Sequence, residues 1–63
     1  MPLERLTADE LRRVRALRAA EGKRAASLLA LSVVTLESIV GGNAVKPSTA
    51  ARVRAALAKL NAG

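Results

Sequence analysis

The groups able to do chemistry in this chain are hydroxyls, carboxylates and cations. Neither histidine nor cysteine occurs among its 63 residues. That removes an imidazole base, a thiol nucleophile, a disulfide framework and a Cys/His zinc site. Glu4, Asp9, Glu10 and Glu21 lie early in the chain, Glu37 stands alone after them, and no two form a recognisable catalytic pair. The serines and threonines have no base to activate them. Gly41-Gly42 reads as a helix stop, not a phosphate-binding loop. Neither catalysis, nor a cofactor, nor a bound metal is expected.

Positive charge is what the chain has in excess. Eleven Lys/Arg against five Asp/Glu give a net charge of +6. So basic a domain attracts polyanions, nucleic acid first and acidic membrane second. The longest apolar run, Leu28 to Val34 with Ser32 inside it, falls far short of the ~20 residues of a membrane span. Glu4, Asp9 and Glu10 sit where a secretory signal would be basic and then apolar. The expectation is a cytoplasmic, nucleoid-associated protein with no membrane partner.

The elements that must position these groups read as helices. The composition is 51% hydrophobic without one aromatic residue, so the apolar mass is Ala, Leu, Val and Ile. Ala and Leu favour helix, and no segment alternates with the period of a strand. Thr7 opens the first helix, with Glu10 three residues on to complete a capping box and Leu6 and Leu11 as a hydrophobic staple. Leu11, Val14 and Leu17 form its apolar stripe, and Gly22 ends it near Ala20. Its arginines read as a solvated face.

A short second helix runs from about Lys23 to Leu29 or Ala30. Ser32 caps a third, which carries Leu36, Ile39 and Val40 and stops at Gly41-Gly42. Asn43 to Lys46 is a loop. Pro47 suits the first turn of a fourth helix, which runs to about Asn61 and is ended by Asn61 or Gly63. Val53, Leu57 and Leu60 give that helix its apolar positions, while Arg52, Arg54 and Lys59 read as solvated. The fold class is therefore all-α: a compact bundle of four or five short helices, in one domain spanning residues 1–63. Leu36, Ile39, Val53 and Leu57 are core.

Residues 23–41 read helix, turn, helix. Ala26 is small where two helices cross closely, Leu31 plugs the corner, and Leu36 and Ile39 anchor the second helix. Here the chain resembles a known family. The stretch 26–42, ASLLALSVVTLESIVGG, is similar to the A-x-x-x-G-[VL]-S-x-x-T-[IVL]-x-x-[IV]-x-x-G pattern of lambda-repressor-like DNA-binding domains, the group of Cro-type and lac-repressor-type headpieces. The stretch 45–57, VKPSTAARVRAAL, resembles the lac-repressor-type continuation V-S-x-x-T-R-x-R-V-x-x-A. Three departures stand out. Ala30 replaces the turn glycine, Lys46 replaces the capping serine of the fourth helix, and a whole helix precedes the motif, as in the Cro-like branch. The lac-type hinge and ligand domain are absent, so no small-molecule effector is expected.

The resemblance implies sequence-specific binding of double-stranded DNA, with the third helix in the major groove. Ser32, Val33, Val34, Glu37 and Ser38 would be its base contacts. The valines would pack on thymine methyls and Glu37 would accept from a cytosine amino group. Lys23, Arg24, Thr35, Asn43, Lys46, Ser48 and Thr49 would be phosphate contacts, Ser48 and Thr49 because a helix N-terminus attracts anions. The implied function is a transcriptional regulator, a repressor acting by operator occupancy, binding as a homodimer. Leu3, Leu6, Leu28 and Leu60 are spare apolar candidates for the dimer surface. The exposed pair Val33 and Val34 equally fits a second reading, a protein-interaction module on the same scaffold that modulates another DNA-binding protein.

Overall fold

A computed structural model of the protein describes residues 2–62. Four helices follow in order: α1 (Ala8–Glu21), α2 (Arg24–Leu28), α3 (Val33–Val40) and α4 (Pro47–Ala62). The molecule is an all-α bundle in which α1 packs against each of the other three helices and α2 packs against α3. No strand occurs among the described residues. One isolated antiparallel bridge does, between Glu4 and Val45. Each residue donates its N–H to the other's carbonyl at 2.7 Å. The lead-in before α1 is thereby tied to the loop before α4.

The caps form where the sequence places them. Thr7 Oγ1 accepts from the Glu10 N–H at 3.1 Å, and Glu10 Oε1 accepts from the Thr7 N–H at 2.9 Å. Two donors that the first turn cannot pair internally are satisfied reciprocally. Helix α1 runs to Glu21, one residue past the expected end. Gly22, with φ +62° and ψ −138°, then turns the chain through a conformation open in practice only to glycine.

Both helices of the central motif end alike. In α2 the Leu31 N–H reaches back to the Ala26 carbonyl at 2.8 Å, and the Ala30 N–H to that of Ser27 at 3.1 Å. In α3 the Asn43 N–H bonds the Ser38 carbonyl at 3.1 Å and the Gly42 N–H that of Ile39 at 2.9 Å. This double closure is the Schellman motif, and it requires a left-handed residue between cap and exit. Gly42 supplies it in α3 with φ +86°, while Gly41 remains right-handed at −74°. Ala30 supplies it in α2 with φ +56°. The missing turn glycine has therefore not changed the turn. It has left an alanine where a Cβ costs of order 1 kcal/mol. Because Leu29 is the C-cap of this motif, α2 stops at Leu28, earlier than the expected Leu29 or Ala30, and the connection is Leu29 to Ser32.

The core holds no aromatic ring and no buried polar side chain among the described residues. Val14, Ala25, Ala26, Leu29, Leu36, Ile39, Val45, Ala50, Val53 and Leu57 fill it. The alanines of α2 let that helix approach α1 and α3 closely. Leu6, Leu11, Leu17 and Leu31 close the margins, so both staple residues and the corner plug pack against the core. Helix α4 begins at Pro47, with the Ala50 N–H on the Lys46 carbonyl at 3.0 Å, and extends one residue beyond Asn61. Gly63, the other expected stop, lies outside the described residues. Among the described residues, no helix is long and apolar enough to cross a membrane.

Candidate nucleic-acid interface

Burying Leu36 and Ile39 fixes the rotation of α3, and its opposite face is thereby turned outward. Val34 is 80% exposed and Val33 44%. Val34 and Ser38, one helical turn apart, stand together on this face. Val34, Thr35 and Ser38 line a single shallow depression with Lys46, Thr49 and Leu3, floored by Val45. Five of the predicted contact residues thus share one surface, drawn from α3, the loop and the first turn of α4.

The remaining predicted residues lie elsewhere or are engaged. The Ser32 hydroxyl accepts from the Thr35 N–H at 3.2 Å and donates to Thr35 Oγ1 at 2.9 Å. It is occupied in capping α3. Asn43 donates through Nδ2 to the Ser38 carbonyl at 3.2 Å, so its amide seals the end of α3. It lines a neighbouring depression with Arg5, Leu6, Leu11, Ile39 and Gly42. Lys23, Arg24 and Ser48 are exposed. The expected base reader Glu37 accepts from Arg18 Nε at 2.7 Å, which draws its carboxylate toward α1.

Several arginines expected on solvated faces have defined partners. Arg15 donates through Nε at 3.1 Å and Nη2 at 2.9 Å to the carbonyl of Val40, the last residue of α3. Arg12 and Arg13 pair with Asp9 at 3.5 and 3.1 Å. Arg54 on α4 reaches Glu4 at 3.2 Å and Glu10 at 2.8 Å. Its hydrogen bond, and then the Thr7 N–H, hold the Glu10 carboxyl below the usual glutamate range. The same two carboxylates raise the Arg54 guanidinium.

This pairing redistributes the excess charge. Four of the five acids are consumed by arginines of α1 and α4. Among the described residues, Arg5, Arg15, Lys23, Arg24, Lys46, Arg52 and Lys59 stand in no ion pair, Arg15 donating to the Val40 carbonyl and Arg52 to that of Ala30 at 3.4 Å. Sequence reasoning missed Arg5, and it offered Leu3 only as a dimer-surface candidate, without its place beside α3. The Glu4–Val45 bridge is what carries them to the end of α3, and no local pattern signals a pairing across 41 positions.

Of the spare apolar residues, Leu6 is packed against the core and is not available for a partner. Leu28 and Leu60 line a common depression between α2 and α4, and Leu3 belongs with Val34. Comparison of the chain with protein-family models, with curated proteins and with solved structures finds no match.

Proposed function

We propose that this chain is a sequence-specific double-stranded DNA-binding regulator of transcription that lays α3 in the major groove and represses by occupying its operator. One observation carries the reading. The outward face of α3 shares a surface with an unpaired lysine and the first turn of α4, on a domain whose acids are mostly neutralised elsewhere. Val34 contacts thymine methyls and Ser38 donates to or accepts from base edges. Lys46 and Thr49 hold a phosphate at the start of α4, where the helix dipole adds attraction. Arg5, Lys23 and Arg24 supply further phosphate contacts that set affinity more than sequence. Glu37, held by Arg18, contributes less to base reading than its position in the motif suggests. One domain of this size offers few base contacts, so two copies bind a palindromic site with half-sites about 34 Å apart.

The test is titration of duplex DNA at two salt concentrations by the wild type and Lys46→Ala. Loss of one phosphate contact lowers affinity across all sequences and reduces the salt slope by about one. Unchanged affinity and slope reject the assignment of Lys46.

A second reading is favoured by the exposure of Val33, Val34 and Leu3. These side chains could seat another protein instead of a groove. Absence of duplex binding at low salt, with the fold intact, would select it.

A further inference from the structure

The surface between the turn after α2 and the second half of α4 is absorbed neither by the core nor by the proposed DNA face. Leu28, Ala56 and Leu60 supply its apolar floor, and Arg52 and Lys59 lie at its margin. Leu60 is 42% exposed and also borders a second depression with Leu17 and Leu57 on the α1 side. No acid lines either depression. None of these residues lines the depression beside α3.

We propose that this groove docks an acidic amphipathic helix of another protein, with apolar side chains on Leu28 and Leu60 and carboxylates on Arg52 and Lys59. Charge decides the occupant. A two-fold pair of copies presents the same patch twice and brings the Arg52 and Lys59 of each copy toward those of the other. The chain's own carboxylates offer little relief: Glu4, Asp9, Glu10 and Glu37 are held by arginines, and Glu21, which stands in no ion pair, lies at the end of α1 and lines neither depression. Area points the same way. A stable interface buries about 800 Å² per partner. That is about a fifth of this molecule's 4135 Å² of surface. Of the four large exposed apolar residues among the described ones, only Leu60 lies here; Leu3, Val33 and Val34 belong to the α3 side. A groove that small fits one helix face, the helix-in-groove mode.

The probe is a synthetic peptide of about 16 residues, with leucines at i, i+4 and i+7 and glutamates flanking them. A second peptide carries lysine at every glutamate. Binding to the full chain is followed by amide chemical-shift titration. The acidic peptide binds with a dissociation constant on the order of 100 μM. Its shifts are confined to Leu28–Ala30 and the second half of α4, and they weaken in roughly 0.5 M salt. Leu60→Ser weakens binding about tenfold. Lys59→Glu weakens it severalfold, and both variants keep the helical circular dichroism of the wild type. Equal binding of the lysine peptide, no saturable binding, or shifts mapping to the α1 arginines overturns the proposal. So does self-association of the free chain, in sedimentation, that Leu60→Ser abolishes, because a second copy is then the occupant. Duplex binding by Leu60→Ser is measured in parallel. It is unchanged whether or not the peptide binds, which keeps this proposal separate from the DNA reading.

Discussion

Arg18 of α1 holds the carboxylate of Glu37, the one acid of α3, at 2.7 Å. One turn earlier, Arg15 holds the last carbonyl of the same helix. The helix proposed to enter DNA is therefore fixed on its polar side by α1 while Leu36 and Ile39 fix its apolar side. A negative charge that would repel phosphates is neutralised by the same contact.

If that neutralisation matters, Arg18→Ala will weaken duplex binding severalfold at low salt, a loss on the order of 1 kcal/mol. Glu37→Gln in the Arg18→Ala background will restore most of it. Fluorescence anisotropy on a labelled duplex measures both. A loss that Glu37→Gln fails to restore would mean that Arg18 acts through its own charge.

The Arg15 contact supports the end of α3. Arg15→Ala should cost about 1 kcal/mol, the usual net worth of such a hydrogen bond. Arg15→Lys should lose part of it, because an ammonium lacks the guanidinium fork. Hydrogen exchange at Gly42 and Asn43, whose N–H groups close α3, should speed up more than exchange in α1. Uniform acceleration throughout the chain would indicate global destabilisation instead.

Ala30 stores strain that its counterpart Gly42 does not. At φ +56° the side chain costs of order 1 kcal/mol, and glycine returns part of that gain as unfolded-state entropy. Ala30→Gly should raise stability by about 0.5 kcal/mol and the melting temperature by about 2 to 4 °C. Ala30→Val should lower both, because β-branching makes a positive φ harder to adopt. A thermal melt in which Ala30→Gly is no more stable than the wild type would mean the turn bears no strain.

Acid should loosen the tie between α1 and α4. The folded protein holds the Glu10 carboxyl below its ordinary value. The unfolded chain, with a value of about 4.3, then binds the proton more readily. The stabilisation is fully present above the unfolded value and is lost as pH falls through the folded one. Melting temperature should fall below about pH 4.5, and Glu10→Gln, which can keep the capping box, should show a shallower fall. Parallel curves would remove Glu10 from the acid response.

What the sequence disclosed was local. Thr7 with Glu10, Ser32 before the valines and Pro47 after the loop each cap or open a helix through contacts three or four residues away. Such signals survive without knowledge of the fold. Burial of Leu36, Ile39, Val53 and Leu57 followed from helical spacing. The arginine contacts were invisible for the opposite reason. Arg15 to Val40, Arg18 to Glu37 and Arg54 to Glu4 span 25, 19 and 50 positions, and nothing in an arginine's neighbours says which distant carbonyl or carboxylate it will meet. The Glu4–Val45 bridge, which brings Leu3 and Arg5 to the α3 side, was hidden likewise.

The central claim is that the outward face of α3 reads DNA. Selection from random duplex DNA near physiological salt, with the wild type and with Val34→Ala, addresses it most directly. The account predicts an enriched palindrome for the wild type, and relaxed preference at one symmetric pair of positions for Val34→Ala. Enrichment of no sequence, or of one that Val34→Ala leaves unaltered, contradicts it.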